Sequence, residues 1–289
     1  MMRHRAARNQ IGLEVTVSAV RAVAVRQGKV AAAVSVPIIH QEVSRSDAVL
    51  RAFAALERKG ITSLESCVAV APMGGMTNTV LELPPRSSGA PIEALAAAEL
   101  TRGAGATGLE IAVFPVRTPE SGPTEYFVTA VQRDTILSLV EDVAAVGTEL
   151  IAIDAPVTAF ARACSSANCL IVVLEQQAIA FHAVHDGLPI LSRSSPITPR
   201  ALSGDAVIAE IDRCARYLST YRADTAIEEI VVAGPAPQLQ DVARDIGREF
   251  DVRVRQWGLP EGSARAAGGV EYAGAFGAAT WGMSGKDAA

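Results

Sequence analysis

The chain of 289 residues is 49% hydrophobic and carries a formal net charge of -5. That is enough apolar material for large cores in two domains of ordinary size, and too little grouped positive charge for a nucleic-acid binder, which must neutralise phosphates. No apolar run approaches the roughly 18 residues needed to cross a bilayer and the start lacks the apolar core of a signal peptide, so a cytoplasmic protein is expected.

The one basic cluster, Arg3, His4, Arg5 and Arg8, has no apolar partner face and reads as a solvated tail. Apolar runs at 10–17, 19–26 and 30–36, broken at Gln27-Gly28, predict an antiparallel meander. Ser46-Asp47 opens a helix carrying Leu50, Phe53, Ala54 and Leu56, closed at Lys59-Gly60, and 67–71 makes a short buried strand. An insert follows at about 72–147, with strands near 77–83, 109–116 and 125–131 and helices opening at Pro91 and Asp134. Turns at 84–89 and 119–123, rich in Pro, Ser and Gly, lie inside it. Residues 148–154 and a helix after Pro156 close the first half.

From 168 the scheme returns. Strands to 195 precede a helix from about Ser203, with Val207, Ile208, Ile211, Cys214, Ala215 and Leu218 on one face. A strand at 229–233, a helix at 237–248, a strand at 251–255 and a final helix at 270–281 complete it. The return is also visible residue by residue: at a constant offset of 159, residues 11–38 meet 170–197 with 7 identities in 28 positions, Gly28 on Gly187 and Pro37 on Pro196 among them. These punctuation residues fix turns, so the expected fold is α/β, with related halves at 1–167 and 168–289 facing each other across a cleft.

Catalytic signatures are missing. Cys67, Cys164, Cys169 and Cys214 show no zinc spacing and read as free thiols. His182 and His185 would point to opposite faces of a strand. Ser165-Ser166 and Ser194-Ser195 lack a nucleophile elbow, and pairs such as Glu141-Asp142 and Glu228-Glu229 read as solvated surface.

The segments IGLEVTVSAVRAVAV (11–25), CVAVAPMGGMTNTVLELP (67–84), GTELIAIDAPVTAFARA (147–163), RCARYLSTYRADTAIEEIVVAGPAPQLQDVARDI (213–246) and AGAFGAATW (273–281) follow one another in a telling order. In that order they resemble the actin, Hsp70 and sugar-kinase superfamily, and within it the PilM family of type IV pilus assembly proteins. The resemblance implies two duplicated RNase H-like halves, each offering a phosphate turn whose backbone N–H groups must come close to a nucleotide. On the first turn the acid is Glu14, the usual glycine is Thr16, Ser18 keeps a hydroxyl and the basic residue is Arg21. On the second, Val173 stands opposite Glu14 and Glu175 opposite Thr16. At the adenosine-side turn only Gly234 fits, because Pro235 and Pro237 remove donors. A carboxylate against a phosphate repels by about several kcal/mol, against about 1 kcal/mol per surviving N–H contact, so ATP with Mg is not expected to bind and catalysis is expected to be lost. An equal reading of Glu14 is a solvent-facing strand residue.

What the resemblance implies is a scaffold, not an enzyme, held at the inner face of the inner membrane through a partner. It would dock the cytoplasmic N-terminal peptide of a PilN-like membrane protein in a groove involving the insert between Thr77 and Val131. Met73, Met76, Val80, Leu81, Leu83 and Phe114 are the candidate apolar contacts. Other pilus-platform and motor proteins and self-assembly into a ring are also implied. The alternatives are the cytoplasmic domain of a type II secretion protein of the GspL type, disfavoured by a chain that ends without a membrane helix, an active ATPase or sugar kinase, and an unrelated actin-like adaptor.

Overall fold

Strands rich in Val and Ala, separated by left-handed turn residues, build two sheets of the same topology. A computed structural model describes residues 10–39, 42–102, 108–120, 122–197, 202–221, 227–260 and 269–283; Arg3, His4, Arg5 and Arg8 lie outside them. In the first sheet β1 (Gln10–Val15), β2 (Ala19–Arg26) and β3 (Lys29–Pro37) form the antiparallel meander. β4 (Ser66–Val70) and, further along the chain, β8 (Glu149–Asp154) extend it in parallel, in the order β3-β2-β1-β4-β8. The second sheet comprises β9 (Cys169–Leu174), β10 (Ala178–His185), β11 (Leu188–Pro196), β12 (Glu229–Ala233) and β13 (Arg253–Gln256), in the order β11-β10-β9-β12-β13.

The 159-residue offset holds at the level of single hydrogen bonds. The first hairpin turns on Gln27 and Gly28 with φ of 51° and 73°, the second on Asp186 and Gly187 with 52° and 75°. Positive φ at both central positions matches the right-handed twist of the flanking strands. Both hairpins carry an irregularity at equivalent places, Ala24/Val25 and Ala183/Val184. Beyond them, Ile38 N–H donates to Ser18 O at 2.8 Å and Ile197 N–H to Gln177 O at 2.9 Å.

α1 (Arg45–Arg58) begins at Ser44, whose hydroxyl accepts from Asp47 N–H, a residue or two ahead of the predicted start. Its buried stripe is Ala48, Val49, Ala52, Phe53 and Leu56. Leu50, one of the apolar residues the helix carries, is 54% exposed, since a 3.6-residue period that buries Val49, Phe53 and Leu56 turns position 50 outward. In the insert, β5 (Thr77–Leu83), β6 (Leu109–Arg117) and β7 (Thr124–Gln132) are ordered β5-β7-β6. α2 (Ile92–Thr101) covers one face, Ile92 and Ala96 packing on Leu83, Tyr126 and Val128. α3 (Arg133–Ala144) leads back to β8. The stripe predicted on α5 (Gly204–Tyr221) is buried at Val207, Ile211, Cys214 and Leu218, and α6 (Leu239–Glu249) packs beside it.

Two short helices, α4 (Pro156–Cys164) and α7 (Ala273–Ala279), join the sheets. Their core includes Val23, Val25 and Ala33 of the first sheet, Ile171, Val173 and Val231 of the second, and Phe160, Tyr272 and Phe276. The approach is close enough to require glycine. A Cβ on Gly12 would lie 1.9 Å from Ala275 O, and one on Gly277 1.8 Å from Ala159 O. Neither neighbour is a flexible side-chain end, so Gly277→Ala is expected to cost about 3 kcal/mol or more in equilibrium denaturation. Gly247→Ala on α6, where the nearest atom stands at 3.9 Å, is expected instead to stabilise by about 0.5–1 kcal/mol.

Candidate functional site

Antiparallel register places Glu14 directly opposite Arg21, so both side chains leave the same face of the β1–β2 hairpin. All three charged groups of the site are buried: Arg21 is 1% exposed, Glu14 3% and Glu175 3%. Glu175 follows β9 in the second half. Arg21 reaches across and donates Nη1–H to Glu175 Oε1 at 2.7 Å and Nη2–H to Oε2 at 3.0 Å, a parallel two-bond pair. A third bond runs from Nη1 to Glu14 Oε2 at 3.3 Å, while Nε has no partner among the described residues. The equivalent of Glu14 and Arg21 in the second half is the apolar pair Val173 and Ala180.

Two carboxylates share one guanidinium, which leaves a charge of minus one if all are ionised. Burial pushes the Glu14 carboxyl up to about 7, with Arg21 opposing and Glu175 adding to the rise. For Arg21 burial works against the cation, but Glu14 and Glu175 outweigh it and hold its pKa above the usual value. Near neutral pH Glu14 therefore carries a proton part of the time. Gly274 of α7 seals it from behind: a Cβ there would meet Glu14 Oε1 at 2.4 Å.

Outside this triad a cleft of about 780 Å³ opens, lined by Thr16, Arg45, Met73, Met76 and Gln177 together with the rims of Glu14 and Glu175. The donors of the first turn are largely committed. Thr16 N–H donates to Ala19 O at 2.9 Å, and Thr16 Oγ1 accepts from Ser18 N–H at 3.3 Å and Ala19 N–H at 3.1 Å. On the second turn Glu175 N–H donates to Ala178 O at 2.9 Å. Arg45, the other cation of the cleft, donates Nε–H to Asp142 at 2.5 Å. Gly234 does not line the cleft; it has φ of 113°, donates to Val270 O at 3.0 Å, and a Cβ would lie 2.3 Å from Leu174 O. Close packing on Leu174 already accounts for that glycine. Of the five positions singled out from the sequence, Glu14 and Arg21 bond to one another, Thr16 and Ser18 bond within their turn, and Gly234 stands apart.

The lining argues against ATP with Mg: Glu175 sets a carboxylate at the rim of the cleft, Arg21 beneath it is already paired, and the residue at the second acidic position is the buried Val173. Among the described residues there is no group of three or more His, Cys, Asp or Glu side chains placed to hold a metal.

Three sequence expectations are corrected. Glu14 is not solvent-facing. Asp142 is not solvated surface: it is 5% exposed and accepts from Arg45 and Ser46. Glu229, at the pair 228–229, is 7% exposed and accepts from Arg255 Nε–H at 2.9 Å. Sequence reasoning also treated Glu175 as a free carboxylate and missed its bond to Arg21. The available signal was an arginine inside the otherwise apolar run AVRAVAV, where the repeat has Ala180.

The insert offers a second hollow of about 220 Å³, between β6, β7, α3 and β8, lined by Ile111, Thr129, Val131, Ile136, Ile153 and Ala155. β6 and β8 are edge strands of their sheets. Ile151 on β8 and Leu137 and Val140 on α3 are 46%, 49% and 39% exposed. The buried Thr129 Oγ1 and its cross-strand neighbour Asn78 Oδ1 lack partners among the described residues. Of the apolar residues proposed for this surface, Leu83 belongs instead to the core beneath α2 and Met73 lines the cleft, while Met76 lines both the cleft and the hollow.

No protein-family model matches the sequence, and no curated protein sequence matches it. The fold, however, is that of known structures. The PilM–PilN type IV pilus biogenesis complex is similar over 97% of this chain and 98% of that one, at 15% identity and a TM-score of 0.74. The ethanolamine utilization protein EutJ from Carboxydothermus hydrogenoformans matches over 95% and 90%, at 13% identity and 0.56. A Bacteroides thetaiotaomicron protein with an actin-like ATPase fold matches over 89% and 94%, at 9% identity and 0.51. The chain therefore has the actin-like fold.

Two outcomes follow from the triad. Because the Glu14 carboxyl is raised from 4.5 to about 7 in the fold, its contribution is full below pH 4.5 and is lost as pH rises to 7, a change of about 3 kcal/mol. Urea titrations across that range should show the fall, and Glu14→Gln should flatten it. Arg21→Met, which strands two buried carboxylates, should cost about 3–5 kcal/mol, whereas the triple variant Glu14→Leu, Arg21→Met, Glu175→Leu should lie near the parent stability.

Proposed function

We propose that this chain is a scaffold of a type IV pilus platform or a related competence or secretion machine, placed at the inner face of the inner membrane by its partner, and that it neither binds nor hydrolyses ATP. The observation that carries the reading is the pairing of a fold shared along nearly its whole length with the PilM structure and an Arg21–Glu175 pair standing between the two phosphate turns. The partner in this reading is the cytoplasmic N-terminal peptide of a PilN-like membrane protein. Further platform and motor proteins and a ring of copies complete the assembly. Among the described residues no helix is long and apolar enough to cross a membrane, which is consistent with attachment through a partner.

The hollow beside β8 supports the peptide's placement. An extended segment added to the β8 edge would pair backbone groups with the strand and set alternate side chains against Ile136, Ile151 and Ile153. Thr129 Oγ1 and Asn78 Oδ1 would welcome one polar side chain among apolar ones.

Titration calorimetry with ATP and Mg is expected to show no binding tighter than about 100 μM, near -5.5 kcal/mol. Pulldown of single-span membrane proteins encoded nearby is expected to capture one with a short cytoplasmic N-terminus. Ile153→Glu should weaken that capture by about tenfold or more, and replacing residues 77–131 by a short linker should abolish it. Undiminished capture by both variants would place the site elsewhere.

A further inference from the structure

A bond between the two halves of this molecule runs through a single guanidinium. The Arg21 Nη atoms belong to the first sheet, the Glu175 oxygens to the turn after β9 in the second, and the two contacts of 2.7 and 3.0 Å are parallel. Such a fork makes both bonds over a narrow range of relative positions, because hydrogen bonds weaken steeply with misalignment. The apolar core around α4 and α7 also holds the halves together, but apolar attraction follows buried area and has no direction. Register between the halves therefore comes from directional contacts, this two-bond pair together with Trp257 Nε1–H to Ala163 O and Arg255 Nη2–H to Cys164 O, both at 2.9 Å.

The site is built around this contact. Glu14 takes the remaining face of Arg21 at 3.3 Å, and Gly274 leaves room for the Glu14 carboxyl where any side chain would collide. The cleft's other cation, Arg45, is paired with Asp142, so a phosphate entering here would find both arginines already engaged. We propose that the Glu14–Arg21–Glu175 triad is an internal tie, buried at the floor of the cleft between the two turns, that fixes the closure of the two halves without any ligand. The inference goes beyond the scaffold reading and holds whatever the partner is.

The experiment measures the distance between the tips of the two hairpins. Spin labels on cysteines introduced at the exposed Lys29 and Leu188 report it by pulsed electron–electron resonance, the four native cysteines being buried. The parent is expected to give one narrow distance that added ATP with Mg leaves unchanged. Glu175→Gln, nearly isosteric, and the triple variant Glu14→Leu, Arg21→Met, Glu175→Leu are both expected to broaden the distribution while near-ultraviolet circular dichroism shows them folded. The apolar triple variant carries no stranded charge, so it gives the answer even if Glu175→Gln unfolds. A narrow, unshifted distance in the folded variants would overturn the tie, as would a parent that narrows only with ATP and Mg. ATP binding seen by calorimetry with the parent distance already narrow would overturn the loss of nucleotide binding and leave the tie standing.

Discussion

A guanidinium removed from water must be matched by carboxylates, and the placement of Arg21 governs much of this structure. Its desolvation is tolerable only because Glu175 meets it with two bonds and Glu14 with a third. Each partner is in turn fixed by backbone. Cross-strand register sets Glu14 opposite Arg21, and the turn closed by Glu175 N–H and Ala178 O aims the second carboxylate inward. Loss of Arg21 or Glu175 leaves a buried charge without its two-bond partner, so the two turns are coupled even though they lie 154 residues apart.

Small side chains make that coupling possible. The chain is 49% hydrophobic but only 4% aromatic, and its central core is made largely of Val, Ala and Gly. Around the aromatic rings of Phe160, Trp257, Tyr272 and Phe276 the backbones themselves meet: α7 lies on Gly12 of β1, and Ala159 of α4 lies on Gly277. Such backbone contacts tolerate little displacement, since neither side can move aside by changing rotamer. The directional bonds of the triad and the close approach of the helices thus reinforce one geometry.

The repeat was legible because turn and strand periodicity are local: Gly28 and Gly187, Pro37 and Pro196 carry their meaning in neighbouring residues. The element order of each half followed from that scheme, whereas the strand order within each sheet comes from the structure. The helix α1 was legible in position but not in face, because Leu50 and Val49 are equally apolar and only the sheet beneath decides between them. Charged residues were the least legible. Arg21 with Glu175, Arg45 with Asp142 and Arg255 with Glu229 are pairs made by folding, at separations of 154, 97 and 26 residues; from the sequence Asp142 and Glu229 looked like surface and Glu175 like an unpaired carboxylate in the cleft. The hollow beside β8 was half legible: its insert strands were placed, but Ile136 and Ile153 come from outside them.

Cleft and hollow are not independent. Met76 lines both, and the loop that carries it, between β4 and β5, receives a hydrogen bond at Met73 O from Ser194 Oγ of β11 at 3.5 Å. The wall of the hollow therefore rests partly on the second half, and any change in the closure of the halves moves that wall. In a fold whose closure followed a bound cofactor, a groove placed here would change shape with the cofactor's state. The proposed tie through Arg21 would give the loop one position and the groove one shape, the property that the proposed docking role requires.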